Sequence, residues 1–259
     1  MKKYLLTILI IVIWVISVHA ELRTEVVEYT HGDALLGGYL TYDDAVKGKR
    51  PGVLVVHEWW GLNDYIKKRA DKLAKLGYIA FAVDMYGKGV RAQDAQKAGE
   101  LASIYLKDRQ LMRARVNAGL EILKKNNLAD NKRLATIGYC FGGTTVLELA
   151  RGGADVAGVV SFHGGLTTLN PAGTKNVRAK VLVLHGADDP FASKEQIFDF
   201  QDEMRKAGAD WQMVFYGGAE HSFTNPEANG YGIKGVAYNE KADKRSWEAM
   251  RSLFLEIFK

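Results

Sequence analysis

Cysteine is almost missing from this chain: one residue, Cys140, in 259. A lone cysteine has no partner within the chain, so no internal disulfide can staple the fold. Histidine, aspartate, glutamate and cysteine nowhere fall at metal-ligand spacing, and no metal or other cofactor is implied. No Gly-Lys-Ser/Thr follows the glycines near Gly138, which excludes a nucleotide phosphate loop there. Runs of Lys and Arg interleaved with aromatics are also missing. The net charge of +5 is small and scattered, and two of the lysines, Lys2 and Lys3, lie at the start of the chain. Nucleic acid is therefore not an expected partner. With no internal repeat, low-complexity tract or linker, the rest of the chain reads as one α/β domain with a large core.

A single long apolar run exists, Tyr4–Val18. Its roughly 15 residues fall short of the ~20 that span a bilayer. Placed between Met1-Lys2-Lys3 and Val18-His19-Ala20, it reads as a secretory signal with cleavage expected after Ala20. An uncleaved anchor is the alternative, and a lipidated start is disfavoured because no cysteine lies near residue 20. The expectation is a signal peptide over 1–20 and an exported domain over 21–259, periplasmic or secreted, with no stable membrane association once the leader is removed. Exported compartments are oxidising and surplus thiols there are usually paired, so an unpaired Cys140 calls for a reason.

Two short strand-like runs, Val26–Tyr29 and Leu35–Tyr42, predict an antiparallel edge hairpin around His31-Gly32-Asp33. After Pro51 strands and helices alternate. Val53–Val56 is a continuous apolar run, as expected for a strand covered on both faces. Asp64 is placed to cap a helix that stops at Gly77, and Tyr78–Val83 is the next strand. Helical periodicity fills Ala92–Leu106 and Leu111–Asn126, and Arg133–Tyr139 is a strand. Further strands are expected at Val156–Phe162, Lys180–His185 and Trp211–Tyr216, and helices at Ser193–Ala207 and Asn239–Phe258. Ser193 with Gln196 three places on has the pattern of a capping box. Such alternation implies a mostly parallel, doubly wound sheet. The longest stretch without clear structure, Gly217–Val236, is of a length that often carries function.

Gly138-Tyr139-Cys140-Phe141-Gly142-Gly143 stands between an apolar strand and a helix-like run. That is the pattern of a nucleophile elbow, G-x-Nuc-x-G, with cysteine in the usual place of serine. The turn is sharp, and only small residues fit two places either side of the nucleophile. A small buried hydrophobe is the commoner role of a lone cysteine; the flanking glycines argue against it here.

Ligands of open α/β sheets bind beyond the carboxyl ends of the strands. Following each strand to that rim gives His57-Glu58-Trp59-Trp60, Asp84-Met85-Tyr86-Gly87-Lys88, Cys140, His185-Gly186-Ala187-Asp188-Asp189, and Glu220-His221-Ser222-Phe223. Cys, Asp and His come in the nucleophile, acid, base order of α/β-hydrolases. His221 can take the thiol proton and return it to a leaving group. An acid must fix the tautomer of His221, and Asp189 is the choice, with Asp188 as competitor. The Phe141 amide, and that of Trp59, are the expected oxyanion donors. His57 and His185 read as hydrogen-bonded structural histidines and His31 as exposed, whereas His163 lies nearer the cleft and could touch substrate. Trp59, Trp60, Tyr86, Phe141 and Tyr231 suggest an apolar or aromatic pocket.

With those residues in place the chain resembles the dienelactone hydrolase family, from about Glu25 to Phe258. The carrying motifs are H-E-W-W-G-L-N at His57–Asn63, Asp84-Met85-Tyr86, G-Y-C-F-G-G at Gly138–Gly143, the Asp189 turn and E-H-S-F at Glu220–Phe223. The resemblance implies an α/β-hydrolase fold, a Cys140-Asp189-His221 triad and no cofactor. It implies a task for Glu58 too: holding the resting thiol, then assisting its conversion to thiolate when substrate displaces the carboxylate. Family members acting on dienelactone grip the substrate's carboxylate with basic side chains. Lys88 keeps a charge at one of those places, but Thr224-Asn225-Pro226 stands at the other. The resulting expectation is an exported hydrolase of a small carboxylic ester, lactone or thioester that works through an acyl-cysteine. A peptidase on the same fold, a binding protein and a thiol redox sensor are the alternatives.

Overall fold

The computed structural model describes residues 21–169 and 176–259. The proposed leader, 1–20, lies outside them. The chain opens with an antiparallel hairpin, β1 (Leu22–His31) and β2 (Ala34–Asp43), longer than the hydrophobic alternation suggests. There follow β3 (Arg50–Val56), α1 (Asp64–Ala74), β4 (Ile79–Val83), α2 (Ala95–Lys107), α3 (Arg109–Lys125), β5 (Ala129–Tyr139) and α4 (Phe141–Arg151). The remainder is β6 (Gly158–Phe162), β7 (Lys180–Gly186), α5 (Lys194–Ala207), β8 (Trp211–Tyr216), a 3-10 turn at Ala228–Tyr231, and α6 (Glu240–Ile257).

The eight strands form one sheet in the order β1-β2-β4-β3-β5-β6-β7-β8. The hairpin joins antiparallel to β4 through Tyr39–Thr41, and every later pairing is parallel. Burial explains the composition of the central strands. Val53–Val56, Ile79–Val83 and Gly158–Phe162 are covered on both faces, as parallel strands between helical layers must be. One face packs on α1 and α6 through Ile66, Leu73, Met250 and Phe254. The other packs on α2–α5 through Tyr105, Met112, Leu120, Val146 and Phe200. No helix among the described residues is long and apolar enough to cross a membrane.

Helix starts refine the sequence reading. Asn63, not Asp64, caps α1, its side chain accepting from the Ile66 amide; Asp64 sits in the first turn, where its charge favours the helix dipole. The helix expected from Ala92 begins at Ala95, because Asp94 is the cap. The capping box of Ser193 and Gln196 is present at α5. α4 alone has no side-chain cap: its N-cap is Cys140.

Candidate active site

Cys140 ends β5 and starts α4 with φ of 53° and ψ of −114°. Non-glycine residues adopt positive φ at a cost. Here the surroundings over-determine it. A Cβ on Gly138 would land on the Gly142 carbonyl, and one on Gly142 would strike the Val56 and His57 carbonyls. The glycines thus let the β5–α4 turn lie directly against β3. The turn is held by Cys140 N–H, which donates to the Phe162 carbonyl (3.0 Å) and to His163 Nδ1 (3.1 Å).

The rim places three side chains in series. His221 Nε2 lies 3.0 Å from Cys140 Sγ, and His221 Nδ1 lies 2.8 Å from Asp189 Oδ2. The second Asp189 oxygen accepts from the Phe191 amide at 2.9 Å. Burial alone would push the Asp189 carboxyl up, but the His221 hydrogen bond and charge, with the Phe191 amide, hold it below the usual carboxylate range. Burial disfavours charge on His221 as well; the Cys140 sulfur and the Asp189 carboxylate outweigh it and raise its affinity for a proton well above the ordinary value. Asp188, the competing acid, is exposed. Its backbone amide closes the turn on the Ala219 carbonyl at 3.0 Å.

The loop carrying His221 is less irregular than its composition suggests. His221 N–H donates to the Gly235 carbonyl (3.0 Å), and Ala237 N–H donates to the His221 carbonyl (3.1 Å). Arg69, buried beneath, bonds Asp243 at 2.7 Å and the Thr224 carbonyl. The loop is therefore pinned at both ends and from below.

His163 is not a substrate contact. It is fully buried at φ 41°, its Nδ1 accepting from Cys140 N–H and its Nε2 lying 2.7 Å from Thr224 Oγ1. Nδ1 is thus the acceptor and Nε2 carries the proton. Burial first, then the positive charges of His221 and Arg69, lower its proton affinity far below normal. It is a neutral strut between the elbow and the His221 loop. His57 plays a similar part: Nε2 accepts from Met85 N–H (3.2 Å) and Nδ1 meets the Glu58 carbonyl (2.5 Å). His185 is buried beside Phe215, but neither ring nitrogen has a hydrogen-bond partner among the described residues.

Glu58 is buried, with Oε1 accepting from Ser222 Oγ (3.0 Å) and Oε2 from Asn225 Nδ2 (2.7 Å). Its hydrogen bonds run to the His221 loop, while the thiol is engaged by His221. Burial raises its carboxyl above the ordinary 4.5 against the opposing pull of Asn225, Ser222, His221 and Arg69. The folded chain then keeps a proton that the unfolded chain releases near pH 4.5, so this group favours folding below that pH. Its contribution is lost as pH rises through the elevated value. Glu58→Gln is expected to flatten that slope, so that the difference in Tm between variant and wild type grows as pH rises above about 4.5. A Tm difference independent of pH would return Glu58 to the ordinary carboxylate range.

A cleft of about 200 Å³ opens over the thiol, lined by Cys140, His221, Phe141, Trp59, Thr144, Ala102, Leu106 and Arg109, among others. Both residues expected to supply oxyanion amides line it. The Phe141 amide, first of α4, has no intrahelical acceptor. The four expected substrate contacts sit elsewhere in the network. Tyr86 donates its hydroxyl to the Trp59 carbonyl (3.1 Å), bracing that loop. Trp60 packs on Tyr231 at 4.7 Å between ring centroids, and the Tyr231 hydroxyl accepts from Asn225 Nδ2 at 2.9 Å. Lys88 is half exposed and pairs with Glu28 of β1 at 2.7 Å. None of the four lines the cleft; the guanidinium that does is Arg109. No motif singles it out, since it looks like any first residue of a surface helix. Ser222, in the E-H-S-F motif, and Asn225, in the Thr224-Asn225-Pro226 stretch, have no role assigned by the sequence; the structure sets both on the Glu58 carboxylate.

A strained cysteine turn after β5, an aspartate after β7 and a histidine after β8 on such a sheet are the arrangement of an α/β-hydrolase site. The comparisons narrow the class: the chain matches the dienelactone hydrolase family over residues 36–258, and it belongs to that family. A presumed carboxymethylenebutenolidase of Aquifex aeolicus is 28% identical over 239 residues, covering 91% of this chain and 99% of its own. A solved structure called m3DLH is 43% identical with a TM-score of 0.89, covering 92% of this chain and 99% of that one. A dienelactone hydrolase-like promiscuous phosphotriesterase from metagenomic libraries is 41% identical with a TM-score of 0.88 and the same coverage.

Proposed function

We propose that this hydrolase cleaves a small carboxylic ester, lactone or thioester through an acyl intermediate on Cys140. The observation that carries the reading is the unbroken series Sγ to Nε2 at 3.0 Å and Nδ1 to Oδ2 at 2.8 Å. Asp189 accepts from Nδ1–H, which leaves Nε2 as the atom facing the thiol. Nε2 takes the thiol proton as sulfur attacks the substrate carbonyl. The tetrahedral oxyanion is received by the Phe141 and Trp59 amides. Collapse breaks the bond to the leaving oxygen or sulfur, which takes the proton from the imidazolium, and a thioester on Cys140 remains. His221 then deprotonates a water that attacks that thioester, and the acid product leaves as sulfur regains its proton. No step calls for a cofactor. The task that the resemblance implies for Glu58, holding the resting thiol, is part of the proposal; both its oxygens accept from Ser222 and Asn225 while the thiol meets His221. The apolar run Tyr4–Val18 behind Lys2 and Lys3, read as a leader, supports an exported, periplasmic or secreted enzyme.

Intact mass after brief incubation with a panel of activated esters, lactones and thioesters tests the reading. The expected result is a mass increase equal to the acyl group, localised to Cys140 and discharged by water. Turnover without any adduct in wild type, and equal turnover by Cys140→Ala, would remove cysteine from the reaction. The metagenomic relative makes a phosphotriester a useful further panel member, and a phosphoryl rather than acyl adduct would redirect the substrate class.

A further inference from the structure

We propose that the Thr144 hydroxyl determines specificity in the Cys140 cleft by donating a hydrogen bond to an uncharged oxygen, of an ether, ketone or alcohol, carried on the acyl part of the substrate close to the reacting carbonyl. The assignment rests on the hydrolase reading and goes beyond it in naming a group on the substrate. Thr144 lies one helical turn past the nucleophile, and its N–H donates to the Cys140 carbonyl at 3.1 Å. Side chains four apart share a helix face and lean toward the helix N-terminus, so that of Thr144 inclines toward the elbow. It lines the cleft with Cys140, Phe141 and His221.

Thr144 is only 5% exposed, yet its Oγ1 has no hydrogen-bond partner among the described residues. The next residue shows the ordinary outcome for a buried helical threonine: Thr145 Oγ1 donates back to the Phe141 carbonyl at 2.8 Å. Thr144 Oγ1 turns instead toward the Gly165 backbone, where a Cβ would stand 3.1 Å from it. Glycine at 165 thus leaves the hydroxyl uncovered. A hydroxyl withdrawn from water and left without a partner is unfavourable, and a substrate oxygen removes that penalty. The other lining groups are otherwise engaged or apolar. Cys140 and His221 are taken up by the reaction, Arg109 turns Nη1 to the Met112 sulfur, and Thr167 is exposed at the rim. Ala102, Leu106 and Phe141 offer only carbon. An acyl group on Sγ whose carbonyl oxygen meets the Phe141 amide lies over the start of α4, within about one turn of Thr144.

The test compares 4-nitrophenyl methoxyacetate with 4-nitrophenyl butanoate, which differ by an ether oxygen in place of a methylene, each rate being divided by its hydroxide-catalysed rate. In wild type the corrected kcat/KM should favour the methoxy ester. In Thr144→Val, which keeps the shape and removes the hydroxyl, that preference should fall about 3–10-fold, the loss of one neutral hydrogen bond. Thr144→Ser should retain it. Gly165→Ala sets a methyl against Oγ1 and meets no other described atom within 4 Å, so it should lower the preference as well. The Tm of Thr144→Val should be unchanged or raised, because an unpaired hydroxyl is removed; a lowered Tm would show the hydroxyl serving the fold instead. A corrected preference of about one in wild type, or a preference untouched by Thr144→Val, overturns the assignment and leaves ester hydrolysis standing. Equal slowing of both esters in Thr144→Val, with accumulation of acyl-enzyme, would give the hydroxyl to the attacking water and overturn the choice of substrate oxygen. No turnover of either ester in wild type would overturn the hydrolase reading and this assignment with it.

Discussion

Replacing His221 with alanine is expected to lower kcat/KM for an activated short-chain ester by about 10²–10⁴-fold, the range removed with a general acid–base. The geometry sets the reason. Nε2 is the hydrogen-bonding atom at 3.0 Å from Sγ, and the imidazole alone joins the thiol to the Asp189 carboxylate. Without it the thiol keeps its proton and the leaving group departs unassisted. The loss should fall on kcat for acylation and show in stopped-flow as a slowed burst of chromophore. Added imidazole should restore part of the rate if the cavity admits it. His163→Ala is a useful contrast because that ring supports the elbow from below: its effect should be accompanied by a lower Tm. A His221→Ala enzyme with near-wild-type rates would reassign the base.

Asp189→Asn should cost nearly as much, on the order of 10³–10⁴-fold in kcat, by the loss typical when a triad acid becomes an amide. The amide nitrogen can donate where the carboxylate only accepts. It then favours the His221 tautomer with the proton on Nε2, the wrong one for receiving a thiol proton. Asp189 is also buried against His221, so its negative charge stabilises the imidazolium where solvent screens little. Asp188→Asn, at an exposed side chain one residue earlier, should stay within about twofold of wild type. A pH–rate profile for each variant separates the two. The opposite ranking would give the acid role to Asp188.

The central part of the fold was readable because its residues obey one dominant force. Val53–Val56 and Ile79–Val83 are continuous apolar runs, which two-sided burial demands. The elbow was readable because Gly138 and Gly142 exclude every alternative with a Cβ. Helix starts were harder: Asn63 and Asp64 are both good caps, and only the backbone decides which one turns back. The lining of the cleft was the least legible part. Tyr86, Trp60 and Tyr231 are aromatics at the right rim, yet packing used them as braces. Lys88 had the expected charge, but β1 supplied Glu28 from across the sheet edge. Arg109 lines the cleft from the start of α3, a three-dimensional placement that no spacing records.

The three members of the series reach the rim from the ends of β5, β7 and β8, and β8 is the outermost strand on its side of the sheet. During synthesis the sulfur emerges first and its imidazole follows 81 residues later. A nascent or truncated chain lacking β8 therefore carries a thiol with no base to activate it. The proposed reactive pair is thus complete only once the outermost strand and the loop after it have been made.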